Sequence, residues 1–295
     1  MERQLVQHGK STVMVSLPKK WIDQQKLGKG DSITIIPVEN KIVITPAKRN
    51  LKEKEITIHL DADYEQVRAE LGTLYRKGYE KITVTFDHPR TMYFIQLMAN
   101  ALYGFEIIEQ TENRCILKSM VKELEVDTNQ VKNKIINIIK TEFNLVRDYL
   151  EKGTKGKCNE LQIIRDDCWK FRNLIYVYLR EHPMFSGFNT YFLIHLFEYN
   201  ASFLFWLYRS FDKSSITHVS KEFLSLFDKV RIYFDDSIKK LKEEEHAYIE
   251  FIQINRDKLL KDCEEYTLKN TKDRFLVLYL SMLVQNIHNP KSIII

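Results

Sequence analysis

Apolar positions change rhythm twice along this chain. Over the first fifty residues they alternate in short runs, as in half-buried strands. Residues 2–8 read as a first strand and 12–16 as a second, with Val13 and Val15 on one face. Pro18 suits a first helical turn, and Trp21, Ile22 and Gln25 follow at helical spacing, so a short helix is expected over 18–26. Gly28 is expected to stop it in the left-handed conformation, and Gly30-Asp31 to turn the chain. Ser32–Pro37 and Lys41–Thr45 then form a hairpin around Val38-Glu39-Asn40, with Ile33, Ile35, Ile42 and Ile44 alternating with polar neighbours. Four short strands and one short helix bury too little for a stable monomer, which makes obligate dimerisation the physical remedy.

A polar, basic linker over 46–54 precedes the first change. Ile56, Ile58 and Leu60 mark a strand, and Asp63 with Gln66 can cap a helix that runs to Lys77 and stops at Gly78. Ile82, Val84 and Phe86 mark the next strand, and Pro89 opens a helix to about Tyr103. Strands at Phe105–Ile108 and Arg114–Leu117 follow. This order predicts a small α/β sandwich with helices on one face.

From Asp127 onward the period is helical. Asp127 and Gln130 form a second capping box, and Val131, Ile135, Ile138, Ile139, Phe143, Val146 and Leu150 recur on one stripe ending at Gly153. Further helices are expected over 157–181, broken by His182-Pro183, then 189–212, 216–242, 246–267 and 271–288, closed by Pro290. Six helices in two sets of three make a bundle. The fold class is therefore multidomain α+β: a small β module over 1–48, an α/β domain over 55–120 and a six-helix domain over 127–290.

Charge sharpens this division. Residues 1–50 hold nine Lys and Arg against four Asp and Glu, a net +5 that equals the net charge of the whole chain. The remainder balances, so the positive charge belongs to the first module and points to a polyanionic partner there. Cys115, Cys158, Cys168 and Cys263 show no C-x-x-C spacing and read as free thiols of a cytoplasmic protein. The most apolar run, Tyr191–Tyr208, contains His195, Glu198, Asn200 and Ser202, so it reads as a buried helix and no membrane insertion is expected. No glycine-rich phosphate loop, G-x-S-x-G or H-E-x-x-H occurs, and the scattered Ser and His residues do not assemble into a nucleophile with a base and an orienting group. Neither enzymatic activity nor a cofactor is expected.

The strings K-S-T-V-M-V-S-L-P-K-K-W (residues 10–21) and L-G-K-G-D (27–31) resemble the AbrB/SpoVT/MazE family of swapped-hairpin DNA-binding dimers. With a long helical region behind them, they are similar to archaeal phosphate-uptake regulators that join such a module to a PhoU-like bundle. The resemblance implies a homodimer through residues 1–48 that grips double-stranded DNA with Arg3, His8, Lys10, Ser11, Thr12, Lys19 and Lys20. The chemistry of these residues agrees. Lys10, Ser11 and Thr12 offer an ammonium, two hydroxyls and backbone N–H groups, while Lys19 and Lys20 stand at a helix start where anions are favoured. Trp21 is assigned to the dimer core.

PhoU-like bundles bind metals through E-x-x-x-D pairs. At the corresponding positions this chain has Arg165 and Trp169, then Glu198 and Ser202, and Leu278–Leu283 without a carboxylate. No metal cluster is expected, and Asp166, Asp167 and Glu198 read as exposed charges or as local ion pairs with Arg165, Lys170 and Arg172. Phe203, Phe205, Trp206, Tyr208 and Phe211 read as core, and His195 as a satisfied helical histidine. Two functions follow from this reading. One is a transcriptional regulator whose helical domain senses a state or binds a partner, with phosphate uptake the process the resemblance implies. The other is an adaptor that only dimerises through the first module and docks on a transporter or signalling protein.

Overall fold

Pairing in the first fifty residues is local. β1 (Val6–His8) and β2 (Thr12–Met14) run antiparallel, Val6 opposite Met14 and His8 opposite Thr12. After α1 (Lys19–Gln24), β3 (Ile33–Val38) and β4 (Lys41–Pro46) form a second antiparallel hairpin with Val38 opposite Lys41. The computed structural model describes residues 2–10, 12–38, 41–47, 53–61, 63–121, 126–181, 187–240 and 245–287. The turn at Glu39-Asn40, the break at His182-Pro183 and the stop at Pro290 lie outside them.

α1 ends differently from the sequence expectation. Lys26, not Gly28, takes the left-handed conformation, at φ 55°. The Lys26 N–H donates to Asp23 O (3.1 Å) and the Leu27 N–H to Ile22 O (3.0 Å), the paired bonds of a Schellman cap. Gly28 instead donates its N–H to Asp31 Oδ2 at 2.8 Å, closing the next turn.

Residues 1–53 and 54–295 are two compact units. The second opens with a four-stranded sheet. β5 (Glu55–His59), α2 (Tyr64–Arg76), β6 (Lys81–Thr85), α3 (Pro89–Ala101), β7 (Phe105–Gln110) and β8 (Arg114–Ser119) follow in sequence, and the strands lie in the order β5-β6-β8-β7. β5 and β6 are parallel, with Ile56 opposite Ile82 and His59 opposite Thr85, while β8 is antiparallel to both its neighbours. Ile82 and Val84 turn inward onto Val67, Leu71, Ile95 and Met98 of the two helices. The caps fall where the sequence put them: the Gln66 N–H donates to Asp63 Oδ1 (3.0 Å), Pro89 occupies the first turn of α3, and Gly78 follows α2 at φ 76°.

Six helices follow among the described residues: α4 (Thr128–Lys152), α5 (Cys158–Glu181), α6 (Gly187–Lys213), α7 (Lys221–Lys240), α8 (Glu245–Lys269) and α9 (Arg274–Asn286). α4, α5 and α6 pack on one another, as do α7, α8 and α9, and the trios meet along α4–α7 and α6–α9. One apolar core runs through all six and includes Phe205, Tyr208 and Phe211, with Phe203 and Trp206 packed against it. Asp127 accepts from the Asn129 and Gln130 N–H groups, and Gly153 closes α4 in the left-handed conformation. All four cysteines are free.

α5 also faces the α/β layer, and there the structure departs from the expected exposed charges. Trp169 and Val177 of α5 enter the core of the sheet and its helices. Arg165 is 2 % exposed and donates from Nη2 to Glu65 Oε1 on α2 at 2.7 Å. Asp166 accepts from the Tyr64 hydroxyl and from Gln162 Nε2, and lies 3.5 Å from Arg68 Nε. Glu198 is buried between Arg172 (2.8 Å) and Arg68 (3.6 Å). Of the three carboxylates, Asp167 is exposed as expected, while Glu198 makes its local pair with Arg172 from inside the protein. Asp166 reaches across to α2, because the arginines of α5 and α2 need buried counter-charges where the two helices meet. His195 places Nδ1 at 3.4 Å from Arg172 Nη1 and packs on the Tyr199 ring, and burial lowers its pKa.

Candidate nucleic-acid interface

Residues 6–8 and 12–14 pair in register, so Val6, His8, Thr12 and Met14 lie on one face of the β1–β2 hairpin and Gln7 and Val13 on the other. Gly9 turns the chain at φ 77°, a conformation that a side chain disfavours. Lys10 follows in that turn, exposed; Ser11 lies outside the described residues. The hairpin thus brings His8 and Thr12 directly opposite each other, with Lys10 at the tip between them. Arg3 precedes β1 and is exposed, so strand pairing does not fix it.

Lys19 and Lys20 occupy the first turn of α1, as the proline signal implied. Pro18 caps that turn through its carbonyl, which accepts from the Trp21 N–H (3.0 Å) and the Ile22 N–H (3.1 Å). Lys19 pairs with Asp23 at 2.9 Å, but both side chains are largely exposed, so the bond yields readily to a phosphate. Lys20, Lys26 and Lys29 are also exposed. A double helix meets side chains of this kind through its phosphates, with an affinity that falls steeply with salt.

Apolar residues of the module are open as well, some exposed and the rest half-buried. No residue of 2–37 or 42–47 whose side chain is described is buried. Leu5, Val6, Val13, Met14, Val15, Ile35 and Ile42 are all exposed, Ile42 by 67 %. Trp21, assigned to a dimer core, is half-buried in the single chain. Each such side chain gains about 1.5–3 kcal/mol on full burial, so a module with this surface is suited to covering by a second copy.

Residues 6–52 match the family model described as "Antidote-toxin recognition MazE, bacterial antitoxin". They form a MazE/AbrB-like domain. No curated protein and no solved structure matches the chain. The match begins at β1 and spans both hairpins, so it covers His8, Lys10, Ser11, Thr12, Lys19 and Lys20 and leaves Arg3 just outside. Among the described residues no helix is long and apolar enough to cross a membrane.

Proposed function

We propose that this protein is a DNA-binding transcriptional regulator. Two copies of the MazE/AbrB-like module interleave over their exposed apolar residues, and the pair presents His8, Lys10, Ser11, Thr12, Lys19 and Lys20, with Arg3 beside them, to one duplex. The observation that carries this reading is a family-matched module in which no described side chain is buried and whose net charge over residues 1–50 equals that of the whole chain. The unit over 54–295 holds the regulatory input, a sensed state or a protein partner. Its PhoU-like character and a link to phosphate uptake rest on the resemblance of residues 10–31 to the archaeal regulators.

Duplex binding measured against salt concentration tests the proposal. The logarithm of the binding constant should fall linearly with the logarithm of salt, with a slope near 0.9 per phosphate neutralised. A Lys10→Ala, Lys19→Ala, Lys20→Ala variant should bind more weakly at every sequence and show a shallower slope. A dimer that binds no duplex even at low salt would reduce the module to a dimerisation device and leave the adaptor reading.

A further inference from the structure

The parallel strands β5 and β6 end side by side, and three electron-pair donors converge there. His59, the last residue of β5, lies opposite Thr85, the last of β6, on the open face of the sheet. Its Nδ1 is 3.1 Å from Thr85 Oγ1. The Thr85 hydroxyl donates onward to Ile58 O at 3.3 Å, an arrangement that suits the ring tautomer in which Nδ1–H donates to Oγ1. In that tautomer the lone pair is on Nε2. It faces Asp61 Oδ2 at 3.6 Å and Asp87 Oδ2 at 3.9 Å, beyond hydrogen-bond length in both cases.

Neither flanking support is part of this trio of ligating atoms. Thr85 anchors the histidine ring through Nδ1. Backbone N–H groups of Asp87 (2.9 Å) and His88 (3.1 Å) donate to Asp61 Oδ1, which pins that carboxylate and leaves Oδ2 directed at the histidine. Outer contacts of this type are what orient ligands around an ion. The three ligating atoms lie within 4.8 Å of one another. With bonds of about 2.0–2.2 Å in a tetrahedral site, neighbouring ligand atoms stand roughly 3.3–3.6 Å apart, so small rotations of exposed side chains close the gap.

We propose that His59, Asp61 and Asp87 bind a divalent transition-metal ion of the zinc and manganese class, with water completing its coordination. The imidazole nitrogen argues against calcium and magnesium, which take oxygen ligands, and the absence of a thiolate from the trio argues against copper(I). The site stands at the carboxyl ends of parallel strands, where open α/β sheets offer a crevice to ligands. It is independent of the DNA-binding reading.

Full-length protein stripped with a chelator, then titrated with Co²⁺ and with Zn²⁺, tests the site by calorimetry and by the visible absorption of bound cobalt. One ion should bind per chain. His59→Ala, Asp61→Asn and Asp87→Ala should each weaken binding at least tenfold, and Thr85→Val about tenfold through loss of the ring's anchor. Far-UV circular dichroism of these surface variants should match the wild type. No saturable uptake at millimolar Co²⁺, as expected if a proton alone neutralises the trio, overturns the proposal. Uptake that persists unchanged in all four variants overturns it too, because the ion then sits elsewhere.

Discussion

Trp169 occupies the space that a side chain on Gly72 would need. A Cβ built on Gly72 overlaps the indole at Cζ2 and stands only 3.0 Å from Cη2. α5 approaches α2 this closely because residue 72 has no side chain, and the same ring lies 4.9 Å beneath the Arg68 guanidinium. Gly72→Ala gains about 0.5–1 kcal/mol of helix propensity. It also overpacks a buried ring, which costs about 1–3 kcal/mol. The clash should win, giving a net loss near 1 kcal/mol and a lower urea midpoint. A midpoint at or above the wild type would show that α5 can retreat at no cost.

Glu198 holds two arginines at once, and all three side chains are at most 14 % exposed. Removing one partner strands the others away from water. Glu198→Ala should therefore cost about 3–5 kcal/mol. Glu198→Gln, which keeps an oxygen for Arg172, should fall between Ala and wild type. Asp167→Ala, at an exposed position of α5, should stay within about 0.5 kcal/mol of wild type. Denaturant unfolding of the three variants side by side checks the order.

Glu142 on α4 is fully buried, and neither carboxylate oxygen has a hydrogen-bond partner among the described residues. Burial raises its pKa well above the ordinary glutamate range, with Arg165 opposing the rise. The folded protein therefore keeps a proton that the unfolded chain loses above about pH 4.5. Folding binds a proton, so this group's contribution is intact below that pH and is lost as pH rises towards the folded pKa. Glu142→Gln has no proton to lose. Its stability relative to wild type should grow by about 1.4 kcal/mol per pH unit above 4.5 and level off once the folded carboxyl ionises. Unfolding curves for both proteins from pH 4 to pH 8 read the difference, and a constant offset across that range would contradict a neutral Glu142.

Local signals carried most of the second unit. Asp63, Gly78, Pro89, Asp127 and Gly153 each act within one turn of chain, and each does in the structure what its chemistry demands. The pairs that span long distances were not legible. Arg165 and Glu65 are 100 residues apart, and nothing in the helical period tells a reader that an arginine stripe on α5 will face α2. His59, Asp61 and Asp87 meet only because β5 and β6 are parallel neighbours whose ends coincide, a fact of register. In the first module the basic residues and the hairpins were readable, while the alternating pattern gave no sign that Ile35 and Ile42 stay exposed in the single chain.

Lys26 shows a local signal misread. Two glycines follow within four residues, yet the left-handed position falls on the lysine, because α1 is only six residues long and its Schellman bonds close there. A Cβ in this conformation costs about 1–2 kcal/mol. Glycine removes that strain but adds unfolded-state freedom of about 0.4–1 kcal/mol. Lys26→Gly should therefore stabilise the cap by roughly 0.5 kcal/mol, the balance of the two terms. Hydrogen exchange at the Leu27 amide, bonded to Ile22 O, should slow about twofold, and faster exchange would mean that the lysine stem contributes packing of its own.

Dimerisation offers the most direct check on the first module. Val13 lies on the Gln7 face of the β1–β2 hairpin, and Ile42 belongs to the second hairpin; their exposures are 58 % and 67 %. A charge at either site changes little in a lone chain, since neither side chain is packed there. Between two chains the same charge would be stripped of water without a partner, at a cost of several kcal/mol per copy. Val13→Asp with Ile42→Asp should thus shift sedimentation equilibrium from dimer towards monomer while the helical signal of residues 54–295 persists. Duplex binding should fall with it, since one chain offers half the phosphate contacts. If the double variant stays dimeric and still binds duplex, the copies join through another surface, and the open apolar residues of the first hairpins need a different occupant.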